Sequence, residues 1–115
     1  MMDKELRQWA VKNDIEKKSN AGFWFCFNNY IQEDPEEFRQ VFGYDFDAEL
    51  LTVEMKSVAL FIDTWDETKV YEDISYGFDY VVSYIPIVYK DQKLGIYKML
   101  YTLDGQSFDD FFVLD

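Results

Sequence analysis

The first eighteen residues place apolar side chains at helical spacing. Leu6 and Ala10 form one i,i+4 pair, Val11 and Ile15 form another, and charged residues occupy the positions between them. The stretch from Ser19 to Gly22 reads Ser-Asn-Ala-Gly, which is typical of a helix end. We therefore predict an N-terminal helix over 3–18, the main element of an N-terminal region 1–19.

The densest aromatic run follows immediately, in the segment Gly-Phe-Trp-Phe-Cys-Phe-Asn-Asn-Tyr that starts at residue 22. A strand would place Phe23, Phe25 and Phe27 on one face. A helix would instead group Phe23, Phe27, Tyr30 and Ile31. Because aromatic side chains are enriched in strands, the composition favours a strand over 23–31, with the helix as the alternative.

A short helix is indicated next by Asp34, Pro35 and the two glutamates that follow. An aspartate cap, a proline at the first helical position and acids in the first turn all stabilise a helix start. Phe38, Val41 and Phe42 then form an apolar stripe, and Gly43 ends it.

Residues 47–65 fit two patterns. Five apolar positions keep the helical period over four turns: Leu51, Met55, Val58, Ile62 and Trp65. The pieces 52–56 and 57–62 would also serve as strands. The longer period favours a helix.

From residue 69 onward the pattern predicts antiparallel strands. A short interrupted strand covers 70–76, and longer strands cover 78–89, 94–103 and 108–114. Residues 90–93 form one turn and Asp104-Gly105 forms another, because glycine accepts the positive φ that a tight turn requires. Pro86 lacks the N–H of a ladder, so we expect it at an edge or a bulge, where it would bend the sheet.

Together these elements predict a single α+β domain over 1–115, with two or three helices packed on a curved antiparallel meander of about four to five strands. Its three regions are 1–19, an aromatic and acidic region 23–65, and the meander 69–115. Both faces of the two long strands are apolar. Helices can cover one face, so the other must line a cavity, meet a second subunit or bind a partner.

The net charge of −12 lies almost entirely in the middle of the chain. Residues 33–79 hold fourteen acids and three bases, a net of −11. Such a segment repels nucleic acid and anionic lipid and attracts basic surfaces. We therefore expect no direct nucleic-acid or membrane partner, and a basic protein surface such as that of a toxin or nuclease.

The composition argues against a catalytic site, since the chain has no histidine and a single cysteine. Histidine bases, Cys-His pairs and zinc sites are thereby excluded. The neighbours of Cys26 are apolar, which indicates a core residue and not a nucleophile. We expect no enzyme activity, metal or cofactor. The charged start of the chain and its lone cysteine indicate a cytoplasmic protein.

Acidic residues interleaved with aromatic ones are the candidate binding residues, because aromatic side chains supply binding energy and carboxylates pair with a partner's bases. They are Tyr44, Asp45, Asp47, Trp65, Asp66, Glu67, Tyr71, Glu72 and Asp73. The leading hypothesis is a small binding protein that blocks a basic surface, as an immunity protein, antitoxin or nucleic-acid mimic does.

Two other functions remain open. A cone-shaped domain could hold a small apolar ligand, or act as a histidine-free enzyme whose cavity is lined by tyrosines and carboxylates. A structural homodimer could instead bury the second sheet face.

Overall fold

A computed structural model describes residues 2–69 and 76–115. Three helices pack on one face of an open, curved, five-stranded antiparallel sheet, which confirms the α+β prediction. The elements are α1 (Met2–Lys12), α2 (Ile15–Glu33), α3 (Pro35–Phe42), a 3₁₀ turn (Ala48–Leu50), β1 (Leu51–Val53), β2 (Ser57–Phe61), β3 (Tyr80–Tyr89), β4 (Gln92–Thr102) and β5 (Ser107–Leu114).

The predicted helix over 3–18 is interrupted at Asn13 and Asp14. Asp14 adopts the left-handed conformation at φ 53° and ψ 41°, and the side chain of Asn13 donates to the carbonyl of Trp9 at 2.9 Å. Asparagine and aspartate tolerate these local geometries better than other residues. The turn lets Ala10 of α1 and Ile15 of α2 both pack against Tyr101.

The helix end predicted at 19–22 and the strand predicted over 23–31 are both wrong, because α2 runs through them. Its buried side chains are Ile15, Ser19, Phe23 and Phe27, each four residues after the last. Phe25, which a strand would have placed beside Phe27, is 71% exposed. The helical grouping of Phe23 and Phe27 is therefore the correct alternative.

A buried hydroxyl group explains why this stripe contains a serine. Ser19 Oγ lies 2.7 Å from Ser83 Oγ and 2.7 Å from the hydroxyl of Tyr101. Because Ser19 forms hydrogen bonds with both of these hydroxyl groups, its burial does not leave a polar group unpaired.

The short third helix forms as predicted. Asp34 caps it by accepting a hydrogen bond from the backbone N–H of Glu37, and Pro35 occupies its first turn. Phe42 is buried, Phe38 and Val41 pack against the same core, and the helix ends before Gly43.

The helix predicted over 47–65 is wrong, and the strand alternative is correct. The segment forms β1 and β2, which both pair with β3. Ile62 and Trp65, which completed the helical period, are 52% and 88% exposed. Pairing with the ten-residue β3 therefore outweighs the local period.

The meander β3-β4-β5 forms as predicted, while β1 and β2 lie end to end along the other side of β3. The β3–β4 turn contains Lys90 and Asp91 at positive φ, and the β4–β5 turn contains Gly105 at φ 89°. The predicted strand over 70–76 falls largely outside the described residues, and Tyr76 itself is not in a strand.

The two faces of the sheet differ in cover. On the face that we call the helix face, β3 presents Val81, Ser83, Ile85, Ile87 and Tyr89, all of them buried. On the opposite face, the open face, it presents Tyr80, Val82, Tyr84, Pro86 and Val88, all but Val82 partly exposed. The described helices contact the helix face, and none of them covers the open face.

Pro86 lies inside the central strand and faces a break in the neighbouring ones. Lys56 N donates to Tyr84 O at 2.9 Å, and Lys90 N donates to Leu50 O at 3.1 Å. Alternate residues of a strand direct their peptide groups to the same side. The backbone nitrogen of Pro86 therefore faces the same side of β3 as these two hydrogen bonds and lies between them along the strand. It meets residues 54–56, where β1 has ended and β2 has not begun. Because no described strand lies opposite Pro86 on this side of β3, its missing N–H removes no hydrogen bond between strands.

Candidate functional site

Five aromatic side chains meet at the end of the sheet where β2 ends and β3 begins. This aromatic cluster consists of Phe61, Tyr76, Phe78, Tyr80 and Phe108. The rings of Phe61 and Tyr80 stack at 5.3 Å with an interplanar angle of 9°. Phe108 meets Tyr76, Phe78 and Tyr80 edge to face at 5.1 to 5.9 Å.

The cluster is exposed to solvent. Phe61, Tyr76 and Phe78 are 40%, 42% and 39% exposed. Single exposed apolar residues are common on proteins, but rings that touch one another form a continuous patch. Such patches on the surfaces of monomers are often functional.

Two aspartates hold the loops that carry these rings. Asp79 Oδ1 accepts hydrogen bonds from the N–H of Asp63 at 2.9 Å and of Thr64 at 3.1 Å. Asp63 Oδ2 in turn accepts from the N–H of Tyr76 at 2.6 Å and of Gly77 at 3.2 Å. The hydroxyl and N–H of Thr64 lower the pKa of Asp79 below its ordinary value, so this carboxylate is charged at neutral pH.

Acidic groups surround the cluster. The hydroxyl of Tyr76 donates to Asp109 Oδ2 at 3.2 Å, which adds a carboxylate from β5 to Asp63 and Asp79. Asp66 and Glu67 follow Asp63 on the same loop, and Lys69 is the one base of that loop. We call these five acids, Asp63, Asp66, Glu67, Asp79 and Asp109, the acidic fringe.

The residues predicted from sequence fall into separate places. Trp65, Asp66 and Glu67 lie on the loop beside the cluster, and Trp65 is 88% exposed. Asp66 accepts bonds from the N–H and hydroxyl of Thr68, so part of its role is to close a turn.

Tyr44, Asp45 and Asp47 lie near the opposite end of β3. Phe46, between them, stacks on Tyr89, while the cluster includes Tyr80. Tyr89 lies nine positions along β3 from Tyr80, roughly 30 Å at about 3.3 Å per residue. The two groups therefore do not form one compact site. Three further predicted residues, Tyr71, Glu72 and Asp73, lie outside the described residues.

Sequence reasoning missed most of the aromatic cluster and Asp109. These residues come from β2, the segment before β3, and β5, and pairing brings them together. The available signal was the run of aromatic residues at positions 76, 78 and 80, which alternates at strand spacing.

Cys26 and its neighbours offer no nucleophile. Its side chain is partly buried against the core, and burial raises the pKa of the thiol, with Asp110 and Glu33 adding to the effect. The thiol is therefore protonated and weakly nucleophilic at neutral pH. Among residues 2–69 and 76–115, no group of three or more His, Cys, Asp or Glu side chains could hold a metal ion.

The hydroxyl of Tyr30 should make the stability of the protein depend on pH. Burial, then Glu37 and Asp34, raise its pKa from 10.0 to about 12. The folded state therefore holds this proton more tightly than the unfolded state, so the stabilisation is complete below about pH 10 and is lost as the pH rises towards 12. Tyr30→Phe removes the effect. We expect its free energy of unfolding to match that of the wild type at pH 8 and to exceed it at pH 11.

Urea unfolding at both pH values measures this difference. The substitution itself is mild, because no hydrogen-bond partner in the described ranges reaches the buried Tyr30 hydroxyl. A difference between the two proteins that stays constant with pH would contradict the raised pKa.

None of the helices in the described part of the chain is long and apolar enough to cross a membrane. No protein-family model, curated protein or solved structure matches this chain.

Proposed function

We propose that the protein is a small acidic binding module that docks on a basic protein surface through the aromatic cluster and the acidic fringe. Its partner would be a basic enzyme such as a nuclease or toxin, which the module blocks as an immunity protein, antitoxin or nucleic-acid mimic does. The observation that carries this proposal is the exposure of touching aromatic rings among carboxylates.

The aromatic cluster supplies the binding energy. Aromatic residues are enriched at the centres of protein interfaces, where large rings exclude water and contribute most of the affinity. Phe61 and Phe78 have no polar atom beyond the backbone, yet both are about two-fifths exposed. Covering them with a partner removes apolar surface from water, which is favourable.

The acidic fringe supplies orientation and speed. Asp109 accepts a hydrogen bond from the Tyr76 hydroxyl, and the charge of Asp63 acts on Tyr80. A partner's lysine or arginine can therefore pair with a carboxylate and also lie over an aromatic face. The net charge of −12 extends the attraction beyond contact distance and accelerates encounter with a basic protein. Enzymes that bind phosphates carry such basic surfaces.

Two matched charge reversals test the proposal. Glu67→Lys changes the acidic fringe, and Asp45→Lys makes the same change near the opposite end of β3. Both side chains are exposed. The two ends of β3 near which they lie are roughly 30 Å apart at about 3.3 Å per residue, which exceeds the Debye length of about 8 Å at physiological salt. We expect Glu67→Lys to slow association several-fold, and Asp45→Lys to have a much smaller effect.

The measurement begins with capture from a lysate of the native host on immobilised wild type, Glu67→Lys and Phe78→Ser, with quantitative mass spectrometry. Association rates are then measured with the purified partner at low and high salt. Loss of a basic protein from both variants supports the proposal. A partner retained equally by all three proteins, or an association rate independent of salt, would refute it.

A further inference from the structure

We infer that strand β2 is the binding edge of this module, and that it accepts an antiparallel strand from a basic partner whose alternate residues are apolar and basic. This inference rests on the proposed function for the sign of the partner's charge. The edge geometry is a separate observation, independent of the aromatic cluster.

Three strands are outermost, β5 on one side of the sheet and both β2 and the three-residue β1 on the other, and they differ in protection. β5 carries Asp109 and Asp110 within its length, and charged residues on an edge discourage pairing with another strand. β2 reads Ser-Val-Ala-Leu-Phe, with no charge and no proline. Within the described part of the chain, no strand pairs with the side of β2 that faces away from β3.

The peptide groups available on this side can be assigned. Ser57, Ala59 and Phe61 pair with Tyr84, Val82 and Tyr80, residues that share the orientation of the Tyr84 carbonyl, which accepts from Lys56 N. Their peptide groups therefore point towards β3. By alternation, the N–H and C=O of Val58 and Leu60 point outwards, where an incoming strand can bond to them.

An apolar groove lies beside this edge on the helix face. It has a volume of about 620 Å³ and runs between α1 and the start of β2. Its apolar lining residues are Leu6, Ala10, Val11, Met55 and Val58, and polar side chains at positions 3, 7, 56 and 57 complete it. Val11 is 79% exposed although it is apolar. Every second side chain of a strand added to β2 would point to this face, so those residues should be apolar.

The intervening side chains would point to the open face, and this assigns their charge. On that face β2 ends at Phe61, whose ring stacks on Tyr80 within the aromatic cluster and close to the acidic fringe. Lysine or arginine at these positions can lie over the rings and pair with carboxylates. A second copy of this chain, with a net charge of −12, is a poor occupant by comparison.

Synthetic peptides of alternating valine and lysine, with capped ends, test the inference against the full-length protein. In an antiparallel pair the valines share the helix face with Val58 and Leu60, so the valine N–H groups bond to β2 and the lysine N–H groups point away. Methylating the valine nitrogens should weaken binding by about tenfold or more, whereas methylating the lysine nitrogens should change it by less than about twofold. Amide shifts in NMR spectra should concentrate in residues 57–61.

The outcomes separate this inference from the proposed function. Equal binding of the two methylated peptides, loss with methylated lysine alone, or shifts confined to β5 would overturn the assignment of β2, even if binding stays salt-dependent. A valine–glutamate peptide that binds β2 as tightly as the lysine peptide would refute the basic partner and leave the edge in place. A dimer that the peptide dissociates would assign the edge to a second copy and overturn the inference.

Discussion

Replacing Phe27 with alanine is expected to lower the free energy of unfolding by about 3 to 5 kcal/mol, the usual cost of removing a large aromatic ring from a core. Phe27 is 1% exposed and lies at the centre of the aromatic core. Its ring stacks on Phe23 at 5.4 Å and meets Phe42 edge to face at 5.4 Å. Since a small domain is stable by only about 5 to 15 kcal/mol in total, this single change removes much of that margin.

Phe25→Ala is the matched control on the same helix. Phe25 is 71% exposed, so its loss should change the free energy of unfolding by no more than about 0.5 kcal/mol. Urea denaturation followed by far-UV circular dichroism measures both variants. If the two cost the same, Phe25 and Phe27 would share one face, as a strand would place them, and the helical assignment of this segment would be wrong.

The elements that could be predicted are those whose signals are local. The third helix has its cap, its proline and its stop within ten residues, and the structure follows them. The β4–β5 turn is likewise specified by Asp104 and Gly105, and β3, β4 and β5 are runs rich in β-branched and aromatic residues that these turns separate. Each of these elements is stabilised largely by its own residues and nearest neighbours.

The elements that could not be predicted depend on distant partners. Ser19 was assigned to a helix end because the stretch 19–22 reads Ser-Asn-Ala-Gly. Only the hydroxyls of Ser83 and Tyr101, which lie 64 and 82 residues further on, make its burial favourable. The same holds for residues 51–61. Their apolar positions follow a helical period, but pairing with β3, which the sequence does not show, makes them strands.

In the candidate site, too, the residues that are neighbours in sequence could be predicted, and those brought together by strand pairing could not. Trp65, Asp66 and Glu67 were predicted because they adjoin one another in the sequence. Phe61 and Phe108 could not be assigned to the same site, since 47 residues and the register of three strands separate them before the fold brings both rings against Tyr80.

Acidity in this chain serves two purposes, and the structure separates them. Asp47 and Asp66 accept bonds from backbone N–H groups in tight turns, and Asp63 and Asp79 hold loops beside the aromatic cluster. Reversing any of these charges would disturb local structure as well as the electrostatic field. Glu67 and Asp45 are exposed positions better suited to testing the field, which is why the binding experiment relies on them.

Gly95→Ala is expected to lower the free energy of unfolding by about 2 to 3 kcal/mol, at the upper end of the cost of overpacking. Gly95 lies in β4 opposite Leu114 of β5. An added Cβ would overlap the carbonyl oxygen of Val113 and lie 2.9 Å from Leu114 Cα. Because these are backbone atoms, the overlap can be relieved only by moving β5. That strand carries Phe108 and Asp109, so the substitution should also weaken partner binding.

Val113→Ala separates a backbone overlap from a side-chain one. The Val113 side chain is 46% exposed, and trimming it alone should cost less than about 1 kcal/mol. Since the trimmed atoms are not the ones that a Cβ at Gly95 would meet, the double variant should be destabilised by about the sum of the two single changes. Thermal and urea unfolding measure all three proteins. Recovery of stability in the double variant would show that side-chain crowding, and not the approach of the two backbones, requires glycine at this position. In that case β5 would remain in place, and the aromatic cluster should bind its partner normally in the Gly95 variant.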